Sequence, residues 1–266
     1  MNTKKLLIGL SLGLSLLTTS ILADDAKARA IMEKADARPD GKTLQQDMKM
    51  VLIDRRGQKR VRSMKSFSKK FGKDKYTIMF FKSPSDVKNT AFLTYDYASG
   101  SKDDDQWLYI PALKKTKRIP SGDKSSNFMG SDFSYFDMTK INLDAYNFKM
   151  LKKAKVRGKK GSWISLTPRS KKTIKESGYI KQKVFVQANN YVVIRSVGTM
   201  RGGKTKYLDI PKMHKQSGVW IMDEMKMTLK KGKKTLHKTL LRFSKTKLNK
   251  SLKDSMFKTR RLTKGL

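Results

Sequence analysis

Alternating apolar and polar residues run through most of this chain, and this pattern limits the fold more than any other feature. From Thr43 almost to the C-terminus, short segments repeat with a period of two, which is the period of a β-strand with two different faces. In segment 219–229, for example, Val219, Ile221, Met225 and Met227 fall on one face. About a dozen such segments follow one another, which predicts a mainly β protein.

The turns between these segments are short. They include Arg157-Gly158, Arg201-Gly-Gly203 and Lys231-Gly232, whose residue types favour tight turns. Short connections join antiparallel neighbours, and no helical pattern intervenes to allow parallel crossovers. The sequence therefore predicts one large, curled antiparallel sheet that forms a single domain over residues 24–266.

The first 23 residues have the parts of a secretory signal peptide. Two lysines precede the apolar run 6–17, and Ala23 offers a cleavage site. A helix is predicted next, from Asp24 to Arg38, because the following Pro39-Asp-Gly41 stops it. The prediction is a protein that is exported to the bacterial periplasm and is soluble after processing, with full secretion as the alternative.

The charge of the chain is strongly positive. It has 61 Lys and Arg against 22 Asp and Glu, a formal net charge of +39. Nucleic acid is the usual partner of so basic a protein, because Lys and Arg neutralise phosphates. Export, the spread of lysines over nearly every strand and the absence of a nucleic-acid-binding motif argue against that partner. An anionic membrane surface fits better, and a generally basic proteome is the open alternative.

Residue types that build catalytic or metal sites are scarce. The two histidines, His214 and His237, have no ligand-like neighbours at metal spacing, and the chain has no cysteine. The acidic cluster Asp103–Asp105 lacks the glycine and distal glutamate of an EF-hand loop. No Gly-x-Ser-x-Gly segment is present. We therefore predict a protein that is not an enzyme and has no cofactor.

An aromatic loop, residues 121–138, is the strongest candidate for a binding element. Its apolar side chains stand between glycines and serines, which suits a lid over an apolar cavity, while a rigid crossover that caps the core is the alternative. Methionines at strand positions would add an adaptable lining for acyl chains. The candidates for the cavity and lid are Trp107, Tyr109, Phe128, Met129, Phe133, Tyr135, Phe136, Met225 and Met227.

A strongly basic predicted strand, 115–119, lies directly before this loop. Its side chains are placed to meet an anionic headgroup at the mouth of the predicted cavity. The candidates for contact with a headgroup or a partner protein are Lys114, Lys115, Lys117 and Arg118.

Two segments of the chain resemble a known family. They are Asp105-Gln-Trp-Leu-Tyr-Ile-Pro-Ala-Leu-Lys-Lys-Thr-Lys-Arg-Ile119 and Phe128-Met-Gly-Ser-Asp-Phe-Ser-Tyr135. Both are similar to segments of LolA/LolB-like outer membrane lipoprotein-sorting proteins, in the branch associated with RND/MMPL-type exporters. The resemblance implies a mainly β (α+β) fold. In it, an incomplete β-barrel of about 11 strands, with N-terminal and lid helices, surrounds a hydrophobic cavity.

The resemblance also implies a function. The chain would be a periplasmic carrier that holds acyl chains of a lipid or lipoprotein and works with an RND/MMPL-type inner-membrane transporter. Two other classes stay open, an adaptor of an exporter with a filled core and a binder of anionic lipids or other polyanions. A carrier needs an apolar cavity that side chains leave unfilled, and an adaptor needs an exposed apolar patch. A polyanion binder should lose its ligand steeply with salt.

Overall fold

The computed structural model describes residues 24–266, and within them one curled sheet is accompanied by two α-helices. Helix α1 spans Ala26–Asp36 and helix α2 spans Lys171–Ser177. Strands β1 to β13 span Thr43–Ile53, Lys59–Phe71, Asp74–Ser83, Ala91–Asp96, Asp105–Ile110, Lys115–Arg118, Tyr146–Val156, Lys159–Pro168, Tyr179–Gln187, Val193–Met200, Lys204–Gln216, Val219–Lys231 and Lys234–Leu248.

Helix α1 begins with an aspartate cap. The carboxylate of Asp25 accepts a hydrogen bond from the Ala28 amide at 3.1 Å, which satisfies one of the free N–H groups of the first turn. Asp24 and Asp25 also accept from the amides of Phe148 and Met150 at 2.8 and 2.9 Å. These bonds attach the helix to strand β7 and satisfy backbone groups on an edge of the sheet that would otherwise be unpaired.

The strand order is β6-β5-β4-β3-β2-β1-β13-β12-β11-β10-β9-β8-β7, and every neighbouring pair is antiparallel. Most neighbours are consecutive in the chain, as the short turns predict. Strands β6 and β7 are also consecutive, yet they form the two opposite edges of the sheet. Residues 119–145, which we call the crossover loop, must therefore cross the width of the sheet.

One face of the sheet, which we call the inner face, carries the crossover loop. Met48 lies opposite Met64 and Phe243, and Met50 lies opposite Leu241, so these side chains share that face. The buried residues of this cluster are Met48, Met50, Leu52, Met64, Met79, Phe81, Val87, Phe92, Leu108, Ile119, Phe128, Phe133, Tyr135, Met227 and Leu241.

Helix α1 covers the other part of the inner face, over β7, β8 and β9. Met227, Leu208, Ser196 and Val184 are successive partners across β12, β11, β10 and β9, so their side chains lie on the same face of the sheet. Both parts therefore belong to the inner face. The buried residues of this second cluster are Ala28, Met32, Ala35, Tyr146, Phe148, Ile164, Leu166, Val184 and Val186. The crossover loop and α1 therefore lie side by side inside the curl of the sheet.

The opposite, outer face of β2 to β5 is covered by the end of the chain. Phe257 and Leu262 are buried there in an aromatic cluster that includes Trp107 and Tyr109, whereas Leu108 between them lies on the inner face. The assignment of Trp107 and Tyr109 to the cavity is therefore corrected. Successive side chains of a strand point to opposite faces, so an error of one residue in the assumed register moves a side chain outside.

Several sequence predictions can be compared with this fold. The mainly β, curled and open antiparallel sheet is confirmed, as is the N-terminal helix, but the sheet has 13 strands rather than about 11. Helix α2 was not predicted, and the crossover loop contains short 3-10 turns where the resemblance implied lid helices. The predicted signal peptide lies outside the described residues. Across 24–266, none of the helices is both long and apolar enough to span a membrane.

Candidate functional site

Aromatic side chains of the crossover loop fill the inner face of β1 to β5. Phe128 and Phe133 are only 1% and 2% exposed. The ring of Phe128 lies 4.9 Å from that of Phe92 and 5.6 Å from that of Tyr135, centre to centre. Burial of one such ring contributes about 1.5–3 kcal/mol to stability. The side chains of the loop thus fill this part of the inner face themselves.

A buried aspartate attaches the middle of the crossover loop to β13. The Asp132 carboxylate is 2% exposed and lies 2.7 Å from His237 Nδ1. It also accepts a hydrogen bond from the Thr239 hydroxyl at 2.7 Å, while the Asp132 amide donates to that hydroxyl oxygen at 2.9 Å. A buried carboxylate is tolerated only when it is paired or hydrogen-bonded, so these contacts fix the loop to one strand.

A second aspartate attaches the end of the loop to the middle of the sheet. Asp137 accepts hydrogen bonds from the Ser134 amide at 2.7 Å and from the Tyr179 hydroxyl at 2.9 Å, and it lies 3.4 Å from Lys206 Nζ. The Lys206 side chain is 3% exposed. Burial and the neighbouring Asp137 raise the pKa of Tyr179 well above its usual value, so the phenol stays protonated and donates.

The backbone of the loop is held as well. The Gln106 side-chain amide donates to the Tyr135 carbonyl at 2.8 Å, and the Arg62 guanidinium donates to the Met129 carbonyl. Met129 and Gly130 have φ angles of 49° and 69°, so the tip turns through two successive left-handed residues. Glycine adopts this conformation freely, whereas Met129 adopts it at a cost that its surroundings must offset.

An apolar cavity of about 330 Å³ opens between the end of α1 and strands β1, β12 and β13. Its apolar walls include Leu44, Val219, Ile221, Met225 and Phe243. Met225 and Phe243 also pack against the inner-face cluster that contains Phe128. The cavity is therefore a continuation of the inner face in the part that neither α1 nor the crossover loop covers, and its volume is typical of small-ligand sites.

A larger cavity of about 610 Å³ adjoins the first one and is lined mainly by polar and charged residues. It lies between α1, the crossover loop and the turns that follow β2 and β4. Two of its carboxylates are notable. Burial, together with the nearby Asp104, raises the pKa of Asp96 to about 6, and burial also raises the pKa of Asp104. Asp36, Arg38, Asp40, Lys75 and Lys140 line both cavities.

The structure brings together most of the predicted cavity residues. Phe128, Phe133, Tyr135 and Met227 are buried in one inner-face cluster, against which Met129 and Met225 pack. Phe136 instead lines the polar cavity, and Trp107 and Tyr109 lie on the outer face.

The predicted headgroup residues form an exposed edge. Lys115, Lys117 and Arg118 belong to edge strand β6, and Lys114 precedes it in a left-handed turn. Lys117 lies opposite Leu108 and therefore shares the inner face, whereas Arg118 shares the outer face with Trp107 and pairs with Asp105. The edge strand is thus basic on both faces.

Comparison with known proteins gives the family. A model of the DUF1329 family, described as an uncharacterized protein, matches residues 73–264. A domain named for outer membrane lipoprotein sorting, from Vibrio parahaemolyticus, is 31% identical in sequence, with a TM-score of 0.80, and the match covers 89% of this chain and 98% of that one. The chain belongs to the DUF1329 family, together with this outer membrane lipoprotein-sorting domain. The resemblance found in the sequence is therefore confirmed at the level of the family.

Two further solved structures share the fold of this LolA-like protein. A DUF1329 family protein from Desulfovibrio piger is 24% identical, with a TM-score of 0.81, and the match covers 90% of this chain and 99% of that one. A LolA superfamily protein from Nitrosomonas europaea is 17% identical, with a TM-score of 0.65 and coverage of 88% and 98%. A comparison with curated protein sequences gives no significant match.

Sequence reasoning missed the polar residues that hold the crossover loop of this LolA-like protein. Asp137 meets Tyr179 and Lys206 across 42 and 69 residues of sequence, so no local pattern marks them. Asp132 and His237 are 105 residues apart. An acid inside an otherwise apolar aromatic loop was the available signal, because such a residue needs a buried partner. Among residues 24–266, no group of three or more metal-ligating side chains is gathered in one place.

Proposed function

We propose that this LolA-like protein is a non-enzymatic periplasmic carrier that holds the acyl chains of a lipid or lipoprotein on the inner face of its open sheet. The observation that carries the proposal is the apolar cavity beside Met225 and Phe243, which side chains leave unfilled. The family and the fold support it, because the 31% identical relative is named for lipoprotein sorting.

The crossover loop supplies a way for the site to lengthen. The cavity continues into the cluster that Phe128 and Phe133 fill. If these rings move away from the inner face, an acyl chain can replace the apolar contacts that they make. The free-energy change of this exchange is close to zero, because the acyl chain replaces the apolar contacts of the rings with apolar contacts of its own. The contacts of Asp132 and Asp137 then determine how readily the loop moves.

The charge of the protein supports two proposed partners. The basic edge strand β6 is placed to meet an anionic membrane surface, where each nearby Lys or Arg contributes about 1 kcal/mol. The protein holds no nucleotide-binding motif that would drive loading, so we propose that an RND/MMPL-type inner-membrane transporter supplies the energy. Nucleic acid is not a proposed partner.

The experiment measures binding of a fluorescent fatty acid to delipidated protein, residues 24–266, at low and high salt. We expect saturable binding that high salt does not abolish, because the contacts are apolar. Met225→Trp should weaken binding about tenfold by filling the cavity. The matched control is Met213→Trp, because Met213 packs against a separate cluster that contains Phe185 and lines neither cavity. The proposal would be rejected if the protein failed to bind the fatty acid at low or at high salt. It would also be rejected if Met225→Trp and Met213→Trp bound it equally.

A second candidate is an adaptor that docks on an exporter and carries no lipid. The filled cluster around Phe128 favours it, because that half of the inner face has the packing of an ordinary core. The same experiment separates the two functions. An adaptor would show no saturable binding of the fatty acid and no effect of Met225→Trp.

A further inference from the structure

The polar cavity has a charge composition unlike the rest of the protein. Eight of the chain's 22 acidic residues line it, together with eight of its 61 basic residues, so its walls are formally neutral in a protein of net charge +39. The acids are Glu33, Asp36, Asp40, Asp96, Asp103, Asp104, Asp144 and Glu176. The rest of the surface attracts anions, whereas this cavity has room for a positive group as well.

Two of these carboxylates are placed to receive a cation. Asp96 accepts a hydrogen bond from the Lys140 amide at 3.0 Å, and Asp104 accepts one from the Tyr97 amide, also at 3.0 Å. Neither forms an ion pair with any residue of 24–266, although both lie in the cavity wall. Lys75 and Lys140 lie near Asp96, and Lys124 lies near Asp104, but none of them comes within ion-pair distance, so an ammonium group from a ligand can still approach both half-buried carboxylates.

Tyr146 adds a buried polar group to the wall of this cavity. It is 0% exposed and lines the same cavity, near Glu176. Its hydroxyl lies close to Ser177 but makes no hydrogen bond of good geometry within the part of the chain that the structure describes. Buried hydroxyl groups nearly always have a partner, so Tyr146 is an additional polar group in the wall of the cavity that its neighbours do not fully satisfy.

A basic residue without a carboxylate partner lies where the two cavities meet. Arg38 lines both of them, and its Nε donates to the Ala35 carbonyl at 3.0 Å. Within residues 24–266 its guanidinium forms no ion pair, because Asp36 is paired with Lys140, and Asp40 is paired with Lys70 and Lys75. A guanidinium with free N–H groups is well suited to bind a phosphate through two parallel hydrogen bonds.

We propose that the two cavities form one site for a phospholipid whose headgroup carries both a phosphate and an ammonium, an inference that rests on the carrier function proposed above. The acyl chain lies in the apolar cavity, the phosphate meets Arg38 at the junction, and the ammonium lies in the polar cavity with Asp96 and Asp104. The protein therefore selects a zwitterionic lipid, although its overall charge favours an anionic one.

The test compares phosphatidylethanolamine with phosphatidylglycerol of identical acyl chains, each added to delipidated protein, residues 24–266, and measured by native mass spectrometry. We expect phosphatidylethanolamine to bind about tenfold more tightly. The double variant Asp96→Asn/Asp104→Asn should remove that preference and keep the hydrogen bonds to backbone amides. The matched control, Asp223→Asn/Asp254→Asn, removes two acids outside both cavities and should keep it.

A second variant tests the junction independently of the acids. Arg38→Gln should weaken the binding of both lipids, because both carry the phosphate. It should leave the ratio of the two affinities unchanged. Equal or tighter binding of phosphatidylglycerol by the unmodified protein would overturn the headgroup inference and leave the carrier function intact. Binding of neither lipid would overturn both.

Discussion

The inner face is covered in two different ways, and the contrast shows which half of it can change. Helix α1 satisfies its own backbone and presents Ala28, Met32 and Ala35 to β7, β8 and β9. The crossover loop has only short turns of its own, with backbone bonds such as that from the Phe128 amide to the Phe133 carbonyl at 2.7 Å, and it is joined to the sheet through buried side chains such as Asp132 and Asp137. The helix half has the character of a permanent core. The loop half is held to the sheet by its buried aromatic rings and by a small number of polar side-chain contacts, and removal of one of those contacts should loosen it.

The largest expected effect comes from removing one of those contacts. Asp137→Ala leaves Lys206 buried without a counter-charge, which should lower the free energy of unfolding by about 3–5 kcal/mol. Urea denaturation measures this value. Asp223→Ala, which removes an exposed carboxylate paired with His214, should cost less than about 1 kcal/mol. A loss below 1 kcal/mol for Asp137→Ala would show that the loop is not held in this way.

The next prediction compares the two halves directly. Phe128→Ala should cost about 3–4 kcal/mol and increase the uptake of an apolar dye, because it opens space on the loop half. Met32→Ala in α1 should cost about 2–4 kcal/mol without increasing that uptake. Denaturation and dye titration of both variants provide the measurement. Equal uptake by the two variants would remove the distinction between the halves.

Asp96 gives a smaller effect that depends on pH. Its neighbours are Asp104, Lys75 and Lys140, and its folded pKa of about 6 lies above its usual 3.8. A raised carboxyl pKa destabilises the fold above pH 6, and the penalty fades as pH falls toward 3.8. Asp96→Asn should therefore stabilise the protein by about 1–2 kcal/mol at pH 7.5 and by almost nothing at pH 4. Urea titrations at the two pH values measure this. An increase in the free energy of unfolding that is the same at pH 7.5 and pH 4 would contradict the prediction.

The smallest expected effect is at the edge strand. Lys115→Gln/Lys117→Gln should change the free energy of unfolding by less than about 0.5 kcal/mol, since both side chains are exposed. The same variant should weaken binding to vesicles that contain anionic lipid, and added salt should reduce the difference. Vesicle co-sedimentation at two salt concentrations checks this. Unchanged binding at low salt would show that Lys115 and Lys117 do not form the membrane contact.

Much of the fold could be predicted because its determinants are local. Alternation identified the strands, and the Pro39–Gly41 stop identified the end of the first helix within a few residues. Helix α2 was missed because seven residues are too few to show a clear helical period. Trp107 and Tyr109 were assigned to the wrong face, since alternation gives two faces but does not say which one is inside.

The candidate site was predicted only in part for a related reason. The aromatic residues of the crossover loop could be identified because they are close together in the sequence. The topology that sends this loop across the sheet, from edge strand β6 to edge strand β7, could not be deduced from local patterns. Without it, neither the contacts of Asp137 nor the junction of the two cavities at Arg38 could be anticipated.

Native mass spectrometry with lipid extraction, on protein purified from the periplasm of its own host, tests the central claim most directly. We expect one bound phospholipid or acylated peptide per chain, which survives high salt and is lost on extraction into organic solvent. Binding of this kind should be weaker in Met225→Trp, which fills the apolar cavity, than in Met213→Trp. A mass that corresponds to the protein alone, with added lipid failing to bind, would contradict the carrier function.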